Sequence, residues 1–298
     1  MLGELLALLW APFLMCLVLT GIHAYLGFHV LAREVVFVDI ALAQIAALGA
    51  TAAFLLGHEM DTWESYASGL LATMVGALVL ALTRTRERHV SQEAVIGVVY
   101  AVSAAGAVLL ADRAPHGAEQ VRTLLVGNLL AVRGSEVAKV AALYAGIGLL
   151  HWLCRRPFFL ISADPAGAYG RGLSVRLWDL LFYASFGVVV TSSVRVAGVL
   201  LVFSYLIVPA LAAAVFGGTV ATRLLIGWGF GTLVSVLGMV ASAAFDLPTG
   251  ATVVCAFGVT LLLFAAAARA FGWRPLTGGA VLTSPASASS PKRGRLPR

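Results

Sequence analysis

Long apolar runs separated by short polar breaks set the pattern of this chain. Runs at 5–30, 37–57, 66–82, 91–110, 137–153, 177–191, 196–216, 224–245 and 249–268 each approach the ~20 mainly apolar residues that a helix needs to cross a bilayer. The pattern predicts an all-α polytopic bundle of about nine transmembrane helices. Recounting the breaks near Arg195 and Gly127 gives eight or ten. Ser192, Ser193 and Arg195 are read as a tight polar break between the sixth and seventh runs. The segment 112–136 has an apolar core, VRTLLVGNLLAV, too short to cross, and is expected to be interfacial or re-entrant. The other long polar interruption is 155–176, RRPFFLISADPAGAYGRGLSVR.

Local signals refine these elements. Ser91 is placed to cap the fourth helix, with Glu93 in its first turn against the helix dipole. Pro209 is expected to kink the seventh helix. Gly227 and Gly231 form a small-xxx-small pair suited to close helix contact. Nothing basic precedes the first run, which therefore reads as a retained span and not as a cleaved signal peptide. No internal repeat is evident, which disfavours the inverted-repeat carriers.

Composition agrees with this pattern. The chain has 298 residues, 60% hydrophobic and 11% charged, with mean hydropathy +0.96, far more apolar than a soluble domain. The net charge of +6 and pI near 9.6 come from arginines in short breaks and the tail, a matter of topology and not a nucleic-acid surface. With nine spans, the basic ends at Arg84, Arg86 and Arg88, at 155–176, at Arg223 and at 269–298 all fall on the cytoplasmic side by the positive-inside rule. The N-terminus, the loop 58–64 and the segment 112–136 then lie outside, although Arg113, Arg122 and Arg133 run against the rule. The domain reading is one transmembrane domain over 1–272. It is followed by a disordered basic cytoplasmic tail, 273–298, rich in Gly, Ser, Pro, Ala and Arg.

Candidate chemistry is sparse. Lys139 and Lys292, the only lysines, lack the context of a phosphate-binding loop. No His-Glu-x-x-His pattern or Gly-x-Ser-x-Gly elbow occurs, so no catalytic residues are assigned and the chain does not read as an enzyme. Cys16, Cys154 and Cys255 lack paired spacing and are expected to pack. Asp39 is the most informative acid, because a carboxylate within a span costs about 2.5–3.5 kcal/mol on insertion scales. It is either a wayside cation ligand or a cap near the cytoplasmic surface, neutralised by Arg33. Gln44 is the next polar residue, about 140° away around the helix. His58, Glu59, Asp61 and Glu64, with His116 and Glu119, have the chemistry of zinc or manganese ligands, but solvated loops look the same and are favoured. His23, His29 and His151 are expected to be packing histidines.

Five stretches, taken together, resemble the membrane permease subunits of the zinc, manganese and iron ABC importer family. They are LAREVVFVDIALAQIAALGA, QEAVIGVVYAVSAAGAVLL, PHGAEQVRTLLVGNLL, RVAGVLLVFSYLIVPALAAA, and the polar stretch in which Asp164, Ala168 and Gly172 match the Asp-x-x-x-Ala-x-x-x-Gly spacing. The resemblance implies a multi-pass protein of the bacterial inner membrane that pairs with a second copy of itself to form the pathway. It further implies cytoplasmic ATP-binding subunits, which use the ATP, and an extracytoplasmic metal-binding protein that delivers a divalent metal ion. The chain itself would bind no cofactor and no nucleic acid, and would touch membrane lipid. The stretch containing Asp164, Ala168 and Gly172 would include a coupling helix docked on the ATPase, and Asp39 and Gln44 would be the pathway candidates, with Asp39 as metal ligand. One departure bears on substrate. Zinc and manganese members commonly carry Asp-x-x-x-His in the second span, whereas Ala43 follows Asp39 by four. Aligning Gln44 with the histidine, anchored on Gly49, puts Ile40 in the aspartate's place. Alternatives are a permease for a siderophore or cobalamin, a stand-alone ion-coupled carrier, and a membrane scaffold.

Overall fold

The computed structural model describes residues 2–84, 91–114, 117–216 and 218–270. Expectations for Arg86, Arg88, His116, Lys292 and the tail 273–298 lie outside the described residues. Twelve α-helices and no strand occur among the described residues. They are α1 (Leu2–Ala32), α2 (Val38–Leu55), α3 (Trp63–Leu82), α4 (Gln92–Ala111), α5 (Gly117–Val126), α6 (Gly134–Leu153), α7 (Arg155–Ala163), α8 (Pro165–Gly170), α9 (Val175–Ala197), α10 (Val199–Phe216), α11 (Val220–Phe245) and α12 (Thr249–Ala270). All but α5, α7 and α8 are long and apolar enough to span a membrane, nine in all among the described residues. This architecture follows from a solvent that offers backbone groups no partner, so each segment must satisfy its own hydrogen bonds.

Helices α1, α2, α9 and α10 form the centre, with 61–67% of their span positions buried, whereas α4, α6 and α12 bury only 17–22%. The outer helices therefore keep their apolar side chains, such as Leu109, Leu149 and Leu262, facing outward, where a soluble protein would place charge. Ser91 accepts from the Ala94 amide at 3.2 Å and caps α4, as its type and position predict. Gly227 and Gly231 bring α11 against α10 and α1: a Cβ on Gly231 would lie 2.5 Å from Thr20, and one on Gly227 would lie 3.1 Å from the Pro209 carbonyl. Pro209 sits inside α10.

The polar break expected at Ser192, Ser193 and Arg195 does not occur there. All three lie within α9, which runs unbroken to Ala197. Ser192 and Ser193 donate to the carbonyls of Val188 and Val189 at 2.9 and 2.7 Å, so the helix satisfies their hydroxyls itself, and Tyr144 of α6 caps the pair with its own hydroxyl. The chain turns instead at Gly198, with φ of +78°, a conformation that favours glycine.

The segment expected to be re-entrant packs across this turn. It comprises α5, a 3-10 turn at Leu129–Ala131 and the link between them. The Asn128 amide donates to the Val196 carbonyl at 3.3 Å. A Cβ on Gly198 would lie 2.4 Å from the Gly127 nitrogen, so the two backbones touch without side chains between them. Gly198→Val is therefore expected to destabilise the fold by about 3 kcal/mol or more, read as a lower melting temperature in detergent. Gly146→Ala, with nothing within 4 Å of the added carbon, serves as the neutral control.

Candidate functional site

Helices α7 and α8 break the run of spans with a short helical hairpin at one end of the bundle. The three spaced residues each have a local structural role there. Asp164 caps α8, its carboxylate accepting from the Gly167 amide at 2.8 Å, and Pro165 follows at the first helical position. Ala168 is fully buried against Ile161 of α7 and Val175 of α9. Gly172, with φ of +73°, ends the unit, and the next amide, that of Leu173, returns to the Ala168 carbonyl at 3.2 Å, the glycine-terminated stop common at helix ends. Cap, core contact and terminator thus recur at intervals of four. Asp164, Gly170, Arg171 and Gly172 remain exposed and offer a small, low-profile surface beyond the spans.

A buried charge network roots this hairpin in the bundle. Arg33, just past the end of α1, donates from Nη1 to Asp179 Oδ1 of α9 at 2.7 Å and from Nε to Ser162 Oγ of α7 at 2.9 Å. Arg84, past the end of α3, reaches Asp179 Oδ2 at 2.9 Å. His29 Nδ1 shares Ser162 Oγ at 2.9 Å, and the Arg33 guanidinium lies 4.0 Å from the Phe182 ring centre. Burial draws the Arg33 guanidinium below its ordinary value, and the Asp179 carboxylate beside it pulls the other way. The Arg33 and Asp179 side chains have no exposed surface. Neither Asp179 nor Ser162 stood out in the sequence. The available signal was a carboxylate inside an apolar run, masked by Arg176 three residues before it, which reads as a local partner.

This network corrects the expected neutralisation of Asp39 by Arg33, which is committed to Asp179 and Ser162. Nor does Asp39 cap α2: the cap position is Phe37, and Asp39 lies in the first helical turn. Its residue is 1% exposed, and Oδ1 has no hydrogen-bond partner among the described residues. Gln44 is half-buried, further along the same helix.

At the opposite end of the bundle, α2, α3, α5 and α9 enclose a cavity of about 480 Å³, with Glu59, Asp61, Tyr66, Glu119, Thr191 and Arg195 among its walls. His58 and Glu64 are not among its lining residues. Arg195 reaches the Asp61 carbonyl at 3.5 Å and lies 5.9 Å from the Tyr66 ring centre. Among the described residues, no group of three or more His, Cys, Asp or Glu is arranged to hold a metal ion.

The histidines of the spans are hydrogen-bonded packing groups. His23 donates to the Leu19 carbonyl at 2.7 Å, and His151 is bonded to Ser185 at 2.8 Å and Tyr25 at 3.2 Å. All three cysteines are free: Cys16 is buried, Cys154 half-buried and Cys255 exposed.

The nine spans and the hairpin define a multi-pass helical membrane protein. Residues 6–269 match the ABC 3 transport family, and the chain belongs to that family. It is 24% identical over 230 residues to the manganese transport system membrane protein MntC of Halalkalibacterium halodurans, covering 77% of this chain and 76% of that one. It is 26% identical over 152 residues to the manganese import system permease protein ScaB of Streptococcus pneumoniae, covering 51% and 55%. Its fold is similar to that in the structure of PsaBC from Streptococcus pneumoniae in complex with Fab, with a TM-score of 0.73 and 19% identity, covering 89% of this chain and 95% of that one.

Arg33→Met leaves Asp179 buried with Arg84 alone. Because Arg84 still neutralises the carboxylate, the expected loss is roughly 1.5–3 kcal/mol, measured as a fall in the melting temperature of the purified protein.

Proposed function

We propose that this chain is the membrane permease subunit of an ATP-driven importer for a divalent transition metal: zinc, manganese or iron. Two copies form the pathway between them. ATP-binding subunits sit at the end bearing α7 and α8, and an extracytoplasmic metal-binding protein delivers the ion at the end bearing the cavity. The observation that carries the reading is α8 itself. Within a chain that matches an ABC transport family over residues 6–269, Asp164, Ala168 and Gly172 serve as cap, core contact and terminator of an exposed short helix. The chain has no phosphate-binding loop, so the energy of ATP must enter through a surface, and a short helix seated in a groove of the ATPase is a suitable one. The basic ends Arg84, Arg155, Arg156, Arg176 and Arg269 gather at the α8 end, which supports placing that end in the cytoplasm. The relatives named for manganese transport favour that metal.

Asp39 and Gln44 are the candidates for contact with the passing ion. Because Asp39 is enclosed by protein, it meets the ion only when α2 shifts against its neighbours during the cycle. A second reading, import of a metal chelate, is favoured by Ala43 standing four residues after Asp39, where an imidazole would complete a ligand pair for a bare ion.

Two outcomes are expected in liposomes containing the complete importer. Gly172→Trp and Asp164→Trp insert normally but lose import while ATP hydrolysis continues, and normal import by either would sink the coupling assignment. Asp39→Ala lowers uptake of manganese(II) by about tenfold or more, and unchanged uptake removes Asp39 from the pathway. Comparing uptake of free zinc, manganese and iron with that of chelated iron separates the two substrate readings.

A further inference from the structure

We propose that Arg33 is a positioning residue that carries movement of the α7–α8 hairpin into the helices walling the cavity at the far end of the bundle. This rests on the coupling reading of α8 given above.

The linkage can be followed contact by contact. Ala168 of α8 is seated between Ile161 of α7 and Val175 of α9. Ile161 is the neighbour of Ser162, and Val175 lies one turn before Asp179 on the same face of α9. A push on α8 therefore arrives first at the two side chains that Arg33 holds, Ser162 at 2.9 Å and Asp179 at 2.7 Å. The second carboxylate oxygen of Asp179 passes it to Arg84 at the end of α3. Helices α3 and α9 are tied again midway by Thr73 and Thr191, whose hydroxyls are 3.0 Å apart. Thr191 itself walls the cavity, and beyond it so do Val194 and Arg195 of α9 with Ser65, Tyr66 and Gly69 of α3. The hairpin is thus bonded directly to the end of α1 and, through Arg33 and then Asp179, linked to α9 and α3, the two that shape the cavity.

Stability alone does not account for such an arrangement. Replacing a buried ion pair with apolar residues of similar volume is often neutral or stabilising. Apolar contacts also tolerate sliding, whereas charge-assisted hydrogen bonds are short and directional. A joint that must transmit displacement without slip needs the second kind. Arg33 suits it because its planar, forked guanidinium bonds two partners on different helices at once.

The test uses the complete importer, with its ATP-binding subunits and binding protein, in liposomes, and reads manganese(II) imported per ATP hydrolysed. The double variant Arg33→Met/Asp179→Leu removes both buried charges and leaves Arg84, partly exposed, free to turn outward. Its melting temperature is expected near that of the unaltered complex, while the ratio of import to hydrolysis falls about tenfold. Ser162→Ala, a milder change, is expected to lower the ratio in the same direction. An unchanged ratio in the double variant, with Gly172→Trp still uncoupled, overturns the linkage and leaves the coupling helix standing. Normal import by Gly172→Trp overturns both. Should the double variant fail to assemble, Ser162→Ala decides: an unchanged ratio refutes the linkage, and a lowered one supports it.

Discussion

The constraint on which this structure depends is that a charge withdrawn from water must find its opposite. Asp179 enters the bundle on α9 with no exposed side-chain surface, and an isolated carboxylate there would cost far more than packing returns. Arg33 and Arg84 come to it from the ends of two other helices. The positions of α1, α3 and α9 at this end are therefore fixed by charge, and the hairpin joins them through Ser162. Elsewhere the bundle is held by close contact, as where Gly231 of α11 meets Thr20 and Pro209, and by neutral hydrogen bonds such as Thr73 to Thr191 and His151 to Ser185. Apolar contact sets distance but tolerates sliding, so the directional bonds, of which the charged ones are the strongest, fix how the helices register along their axes.

Much of the fold was legible because hydrocarbon imposes a coarse rule. About 20 apolar residues make a span, and α2, α3, α4 and α12 lie within a few residues of the runs that predict them. The misreading at Ser192 and Ser193 has a physical origin. Polarity in a sequence registers as a break, but a hydroxyl can bond the carbonyl one turn back and remain inside a helix. Glycine was the better marker: the turn falls at Gly198, where a side chain would collide with Gly127, a contact made only by the folded chain.

The site was legible in part. The spacing of Asp164, Ala168 and Gly172 is local, and each acts within its own hairpin, so sequence could find it. The partners of Asp179 stand 146 residues before it at Arg33 and well away at Arg84, and no local pattern joins them. Arg33 was matched to Asp39 because the two are near in sequence, yet Arg33 turns toward α7 and α9. Asp39 lies in the first turn of α2, and its neighbours are set by helix packing that no spacing encodes.

The turn at Gly198 has a mechanical meaning. A single residue joins α9 to α10, and the Cα atoms on either side of one residue are never more than about 7 Å apart. Any rearrangement that tilts these helices must leave their shared ends together, so the pair opens and closes like the legs of a compass. Those ends stay together beside the cavity wall formed by Thr191, Val194 and Arg195, so a change in the angle of α9 turns that wall about the Gly127–Gly198 contact. A small displacement delivered near Asp179 thus acts far from the pivot, where the lever arm on α9 is long.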